Sequence, residues 1–209
     1  MHPLAQRINH SLRKVPVWPG YILGFLPAAW LLWLGIDGQL GADPVKTLER
    51  ELGEMALQLL LVSLLVTPIL RLTRINLLRF RRLIGLMAFY YVLLHFAVYL
   101  FLDLQLNWGE VFKDVTKRPY IIVGLSALLL LVPVALTSND WSVRRLGAGA
   151  WQRVHKLVYP ASILAAVHYV WLVKAWPLEP FLYLAGMVLL VAWRPLYRIR
   201  KARRRQAAA

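Results

Sequence analysis

Residues 151–174 read WQRVHKLVYPASILAAVHYVWLVK. The stretch predicts a membrane-crossing helix, and it carries two of the chain's five histidines, His155 and His168. Ionisable side chains at membrane depth are costly and by default mark function. At the ~1.5 Å rise of an α-helix the two rings lie about 20 Å apart along the axis, one near a membrane surface and one deeper. A third histidine, His95, sits inside another apolar segment, LIGLMAFYYVLLHFAVYLFL. Neutral imidazole is a common axial ligand of haem iron. The expectation is a membrane cytochrome in which histidines from two helices clamp a haem.

Outward from this stretch, composition sets the class. The chain has 209 residues, is 59% hydrophobic, and gathers its apolar residues into six runs. Only helices and closed barrels satisfy their backbone groups in lipid, and barrel strands would alternate residue by residue. The fold class expected is therefore an all-α membrane protein, a six-transmembrane-helix bundle with both termini cytoplasmic. Helices are expected over residues 18–36, 55–70, 83–102, 119–136, 151–174 and 181–193. The first run is read as a retained helix, for lack of a convincing cleavage site. Residues 1–16 form a cytoplasmic N-terminal tail, 17–197 the six-helix haem-binding domain, and 198–209 a basic cytoplasmic tail. No tandem repeat is visible. The chain has no cysteine, which excludes disulfides, Cys-ligated iron–sulfur clusters and the C-x-x-C-H attachment of c-type haem. Any haem here is held non-covalently.

A net charge of +15 raises the idea of nucleic acid, but its distribution argues for a bilayer as partner and no nucleic acid. Nineteen of the 25 Lys and Arg lie in the two tails and in the loops after the second and fourth helices. Nine of the ten acids lie on the other side, mostly in the loop 37–54. Basic loops stay in the cytoplasm, so both ends face it.

Orientation converts position into depth. Counted from Arg82, His95 lies roughly 20 Å into the membrane, and counted from Leu157, His168 lies about 17 Å in. Both rings fall just beyond the midplane of a ~30 Å core, and they are the expected pair for one six-coordinate haem. His155 falls at the cytoplasmic boundary. Its counterparts on the third helix are Arg81 and Arg82, and neither ligates iron. These arginines fix orientation and offer charge to a haem propionate or a flavin phosphate. On an ideal helix His155 and His168 point about 140° apart, and Pro160 between them can kink the helix.

The runs RRLIGLMAFYYVLLHFAVYLFLD, TKRPYIIVG and LTSNDWSVRRLGAGAWQRVHKLVYPASILAAVHY together resemble the MsrQ (YedZ) family. These are haem-binding membrane subunits within the ferric-reductase-like transmembrane superfamily, and the likeness covers roughly residues 15–200. The resemblance implies a b-type cytochrome of the bacterial inner membrane, binding haem b (one or two) and, in some members, FMN. It implies electrons from membrane quinol, or through flavin from a cytoplasmic flavin reductase. It also implies a periplasmic molybdopterin methionine sulfoxide reductase catalytic subunit as the acceptor, repairing oxidised proteins. The family's three haem-linked histidines fall on His95, His155 and His168. Superfamily members with two stacked haems carry two histidines on each of two helices, whereas the third helix here carries only His95.

Two other functions compete with electron transfer. A histidine-based proton conduit or transporter would need several titrating groups in the spans, and the spans hold almost no carboxylates. The other is a haem-free membrane anchor for a periplasmic partner, or an assembly factor.

Overall fold

The computed structural model describes residues 3–173 and 175–206. Lys174, the last residue of the stretch quoted first, lies outside the described residues, as do Met1, His2 and residues 207–209 of the basic tail. The described chain is helical throughout: α1 Pro3–Lys14, α2 Trp18–Ile36, α3 Pro44–Thr73, α4 Arg81–Ala97, α5 Trp108–Lys117, α6 Pro119–Leu136, α7 Asp140–His155, α8 Val158–Leu172 and α9 Leu178–Gln206. A 3₁₀ turn, Leu78–Phe80, leads into α4, and a π-helical turn, Val98–Asp103, prolongs it. Proline opens α2, α3 and α6, where its missing N–H is not needed. Asp43, Asn107 and Asn139 cap α3, α5 and α7 by accepting from backbone N–H groups, as short polar side chains do.

Among the described residues five helical segments are long and apolar enough to cross a membrane: Trp18–Ile36, Pro44–Thr73, Leu78–Asp103, Pro119–Leu136 and Leu178–Tyr197. The protein is a multi-pass membrane protein, and large apolar side chains such as Leu23, Trp30, Leu129 and Leu189 are exposed along these helices. Lipid, not protein, covers such faces. The core they surround runs the length of the bundle. At one end Ala28 and Leu31 of α2 meet Leu48, Leu52 and Ala56 of α3 and Tyr91 of α4. Beyond them Leu57, Leu60 and Leu64 of α3 meet Ala88, Leu131, Ala161, Ala166 and Met187.

Several expectations change: the loop expected before residue 151 holds most of α7, and the last helix runs well past residue 193. The acidic segment 37–54 is not all loop, because α3 begins at Pro44. Leu48, Leu52 and Ala56 recur every fourth residue and bury one face, which carries the helix through the charged stretch. Between 103 and 118, expected as loop, lies the short helix α5. Residues 151–174 do not form one helix. The chain leaves α7 at His155 and re-enters helix at Val158 through i→i+3 bonds, Leu157 N–H to Val154 O at 3.0 Å and Tyr159 N–H to Lys156 O at 3.1 Å. Pro160 has no N–H to offer the Lys156 carbonyl and its ring crowds that turn, so the helix tightens and breaks there. The deep part that remains, α8, has 15 residues, about 22 Å of rise.

Contacts across the bundle sort its ends. Asn9 pairs with Arg74 O and Asn76 N–H, and Arg79 donates to the carbonyls of Leu12 and Arg13, so α1 docks on the α3–α4 connection. Arg82 pairs with Asp140 at 2.6 Å, and Arg71 lies over the Tyr197 ring. Both described ends of the chain therefore lie beside the arginine-rich connections. At the opposite end Lys46 pairs with Asp103 and Glu49, and Arg118 with Asp114.

Candidate functional site

His95 and His168 come together. Their ring centroids lie 6.4 Å apart, the planes inclined at 78°, and both rings line one cavity of about 620 Å³ between α3, α4, α6 and α8. Each ring is held in the same way. His95 Nδ1 is 2.8 Å from the carbonyl of Glu49 on α3, and His168 Nδ1 is 2.7 Å from the carbonyl of Tyr120 on α6. A carbonyl only accepts, so each Nδ1 carries the proton and donates it. That leaves each Nε2 with its lone pair, the form that binds iron.

Four residues beyond each carbonyl stands a glycine that makes room for the ring. A Cβ at Gly53 would lie 2.9 Å from His95 Nδ1, and one at Gly124 would lie 2.8 Å from His168 Nδ1. One helical turn thus supplies both the acceptor and the gap, since residues four apart share a face. The α3–α4 and α6–α8 pairs repeat this device in the same chain direction, with carbonyl and imidazole 46 residues apart in one and 48 in the other. This is an internal structural repeat that the sequence did not display. Its only trace there is a glycine 42 residues before His95 and another 44 before His168.

The cavity grades from charged to apolar. Lys46, Glu49, Arg50 and Glu54 of α3 and Arg118 just before α6 line its charged end, and Leu57, Leu60 and Leu131 line its depth. Lys46 and Arg118 are already in ion pairs, whereas Arg50 makes none within 4 Å among the described residues. These residues fit an iron porphyrin. With metal–nitrogen bonds of about 2 Å and ring nitrogens about 1 Å from their centroids, two imidazoles across one ion have centroids roughly 6 Å apart. A flat apolar macrocycle with carboxylates on one edge also matches an apolar cavity whose charged end carries three cations to two carboxylates. Among the described residues no cluster of three or more His, Asp or Glu is placed to hold a bare metal ion.

His155 does not line this cavity. Its ring packs on Trp151, centroids 3.8 Å apart, and Trp151 Nε1–H donates to Thr137 O at 2.8 Å. His155 Nε2 is buried without a hydrogen-bond partner among the described residues. Burial and the nearby Arg81 charge push this imidazole below its ordinary value. Arg81 thus stands beside His155, and Arg82 is shared with Asp140. Neither arginine lines the cavity of His95 and His168. Sequence reasoning singled out the three histidines and both arginines. It missed Gly53, Gly124, Lys46, Arg50 and Arg118.

Residues 52–166 match the family model described as ferric reductase like transmembrane component. The chain is also 52% identical over 188 residues to the protein-methionine-sulfoxide reductase heme-binding subunit MsrQ of Brucella ovis, which covers 88% of this chain and 85% of that protein. The proteins of the same description from Brucella canis and Brucella melitensis biotype 2 match with the same identity and coverage.

Proposed function

The chain belongs to the ferric-reductase-like transmembrane family and, within it, to the MsrQ subunits, and from that premise we propose that it is a b-type cytochrome of the bacterial inner membrane. It takes electrons from quinol, or through flavin from a cytoplasmic flavin reductase. It delivers them to a periplasmic molybdopterin methionine sulfoxide reductase, on which the chemistry of sulfoxide reduction resides. Six crossings, α8 being the short one, put both termini in the cytoplasm, in keeping with the arginine-rich connections at that end. The observation that carries the reading is the meeting of two imidazoles across one cavity, each with Nδ1 committed to a carbonyl.

Haem, when bound, supplies a one-electron couple. The residues of this chain do the rest. His95 and His168 present neutral nitrogens from opposite sides. The carbonyls of Glu49 and Tyr120 fix the tautomer and raise ligand basicity. Leu57, Leu60 and Leu131 exclude water, and the low dielectric they create would tune the couple of a bound haem. Arg50, Lys46 and Arg118 would receive the carboxylate edge. At the other end, His155 and Arg81 form a separate place where a second redox group, a haem or the phosphate-bearing FMN, would be held. A second haem there would take a ligand other than histidine beside His155, or none.

The test is the purified full chain. A reduced-minus-oxidised spectrum with low-spin, bis-histidine b-type bands, and a haem-to-polypeptide ratio of at least one, is expected. A colourless protein that takes up no added haem would overturn the proposal.

A further inference from the structure

The arginine-rich end of the bundle holds a second cavity, of about 500 Å³, which shares no lining residue with the histidine site. Three cations line it: Arg71 in the last turn of α3, Lys156 in the turn before α8, and Arg194 on α9. No carboxylate does. Neither Arg71 nor Lys156 has an acidic group within ion-pair distance among the described residues. The guanidinium groups are held in place. Arg194 donates to Leu64 O at 3.2 Å and Thr67 Oγ1 at 3.4 Å and lies 4.8 Å from the Tyr159 ring centre. Arg71 lies 5.5 Å from the centre of Tyr197, which in turn stacks on Trp193 at 5.0 Å.

Arg71 and Lys156 are exposed and Arg194 is half-buried, and three positive charges with no carboxylate in the lining attract an anion. Its level in the bundle tells which kind. It lies where two apolar segments end, Pro44–Thr73 and Leu178–Tyr197, and it is walled by Trp and Tyr, the residues of the lipid–water boundary. Leu72 (73% exposed) and Leu196 (54%) flank it in sequence and present uncovered hydrocarbon. An anionic head with apolar tails satisfies both features at once. We infer that this cavity holds the phosphodiester head group of an anionic phospholipid, with the acyl chains along the exposed apolar faces of α3 and α9.

The test uses the full chain in detergent, stripped of lipid and offered phosphatidylglycerol and phosphatidylcholine in equal amounts, with bound lipid counted by native mass spectrometry. The wild type should retain phosphatidylglycerol in preference. Arg71→Gln with Lys156→Gln should weaken that preference by roughly tenfold or more, by losing two cations at the surface. Lys156→Glu alone, which lowers the charge of the lining by the same two units, should weaken it comparably. Arg145→Gln, which removes an exposed charge away from this cavity, should leave it unchanged. Equal retention of the two lipids by the wild type, or an undiminished preference in the double variant, would overturn the inference. So would displacement of phosphatidylglycerol by inorganic phosphate or FMN, which would assign the cavity to a soluble phosphate ester. Because lipid is counted and not colour, the result is independent of whether haem binds.

Discussion

The imidazoles of His95 and His168 are gripped by backbone, while that of His155 leans on an indole. In the first region, each ring hydrogen-bonds a carbonyl one turn from a glycine, and the two rings face one cavity. In the second, the ring packs on Trp151, its Nε2 has no partner among the described residues, and the positive charge of Arg81 acts on it. A buried polar atom without a partner is costly unless something binds it. The first region is thus preorganised for one ligand by main-chain carbonyls and the gaps left by two glycines. The second is open to a group whose identity its own contacts do not fix.

The largest effect expected is from the ligands themselves. His95→Ala and His168→Ala should each lower haem per polypeptide by more than about tenfold, whereas His155→Ala should leave most of the bis-histidine signal. A pyridine haemochrome assay on the three purified variants reads this directly. Equal loss from all three would erase the distinction between the regions.

Next come the glycines. A methyl at Gly53 or Gly124 would press on a ring nitrogen, and overpacking of this kind costs about 1–3 kcal/mol. Gly53→Ala and Gly124→Ala should lower the thermal midpoint of the haem-loaded protein by similar amounts. A large effect in one and none in the other would break the equivalence of the two arms.

Arg50→Gln should act more weakly. Protohaem should dissociate up to about fivefold faster, in the range of a partly exposed ion pair. Haem dimethyl ester, which lacks the carboxylates, should dissociate no faster than from the wild type. Loss of both alike would remove Arg50 from the carboxylate edge.

The smallest effect belongs to the His155 end. Arg82 holds the exposed Asp140 carboxyl below its ordinary value of 3.8. A lowered folded-state value means stability that is present above 3.8 and lost as pH falls through the folded value. The thermal midpoints of wild type and Asp140→Asn should differ slightly at neutral pH and converge in strong acid. A difference that grows on acidification would reverse the sign.

Legibility in the sequence was uneven, for reasons that can be named. Helix α2 was read with the limits it has, Trp18–Ile36, because Pro19 opens it and the apolar run ends at Asp37. The start of α3 was misplaced by eleven residues, since charged residues on its outer face hid the Leu48–Leu52–Ala56 stripe on its inner one. That error concealed half the site, because Glu49, Arg50 and Gly53 all fell in supposed loop. The pairing of His95 with His168 was legible as equal depth, because rise per residue is a constant of the helix. Which way the rings turn was not, because rotation accumulates error with every residue and a proline break resets it.

By itself the sequence determined that the chain lives in lipid, which end carries the positive charge, and which two histidines lie at one level. Hydropathy, charge bias and helical rise are properties of single segments and need no partner. Only the tertiary structure decided that two carbonyls and two glycines hold those rings, that His155 stands apart, and that three cations from α3, α9 and the turn before α8 share a cavity. These are relations between segments far apart in the chain, set by how helices rotate and pack against one another.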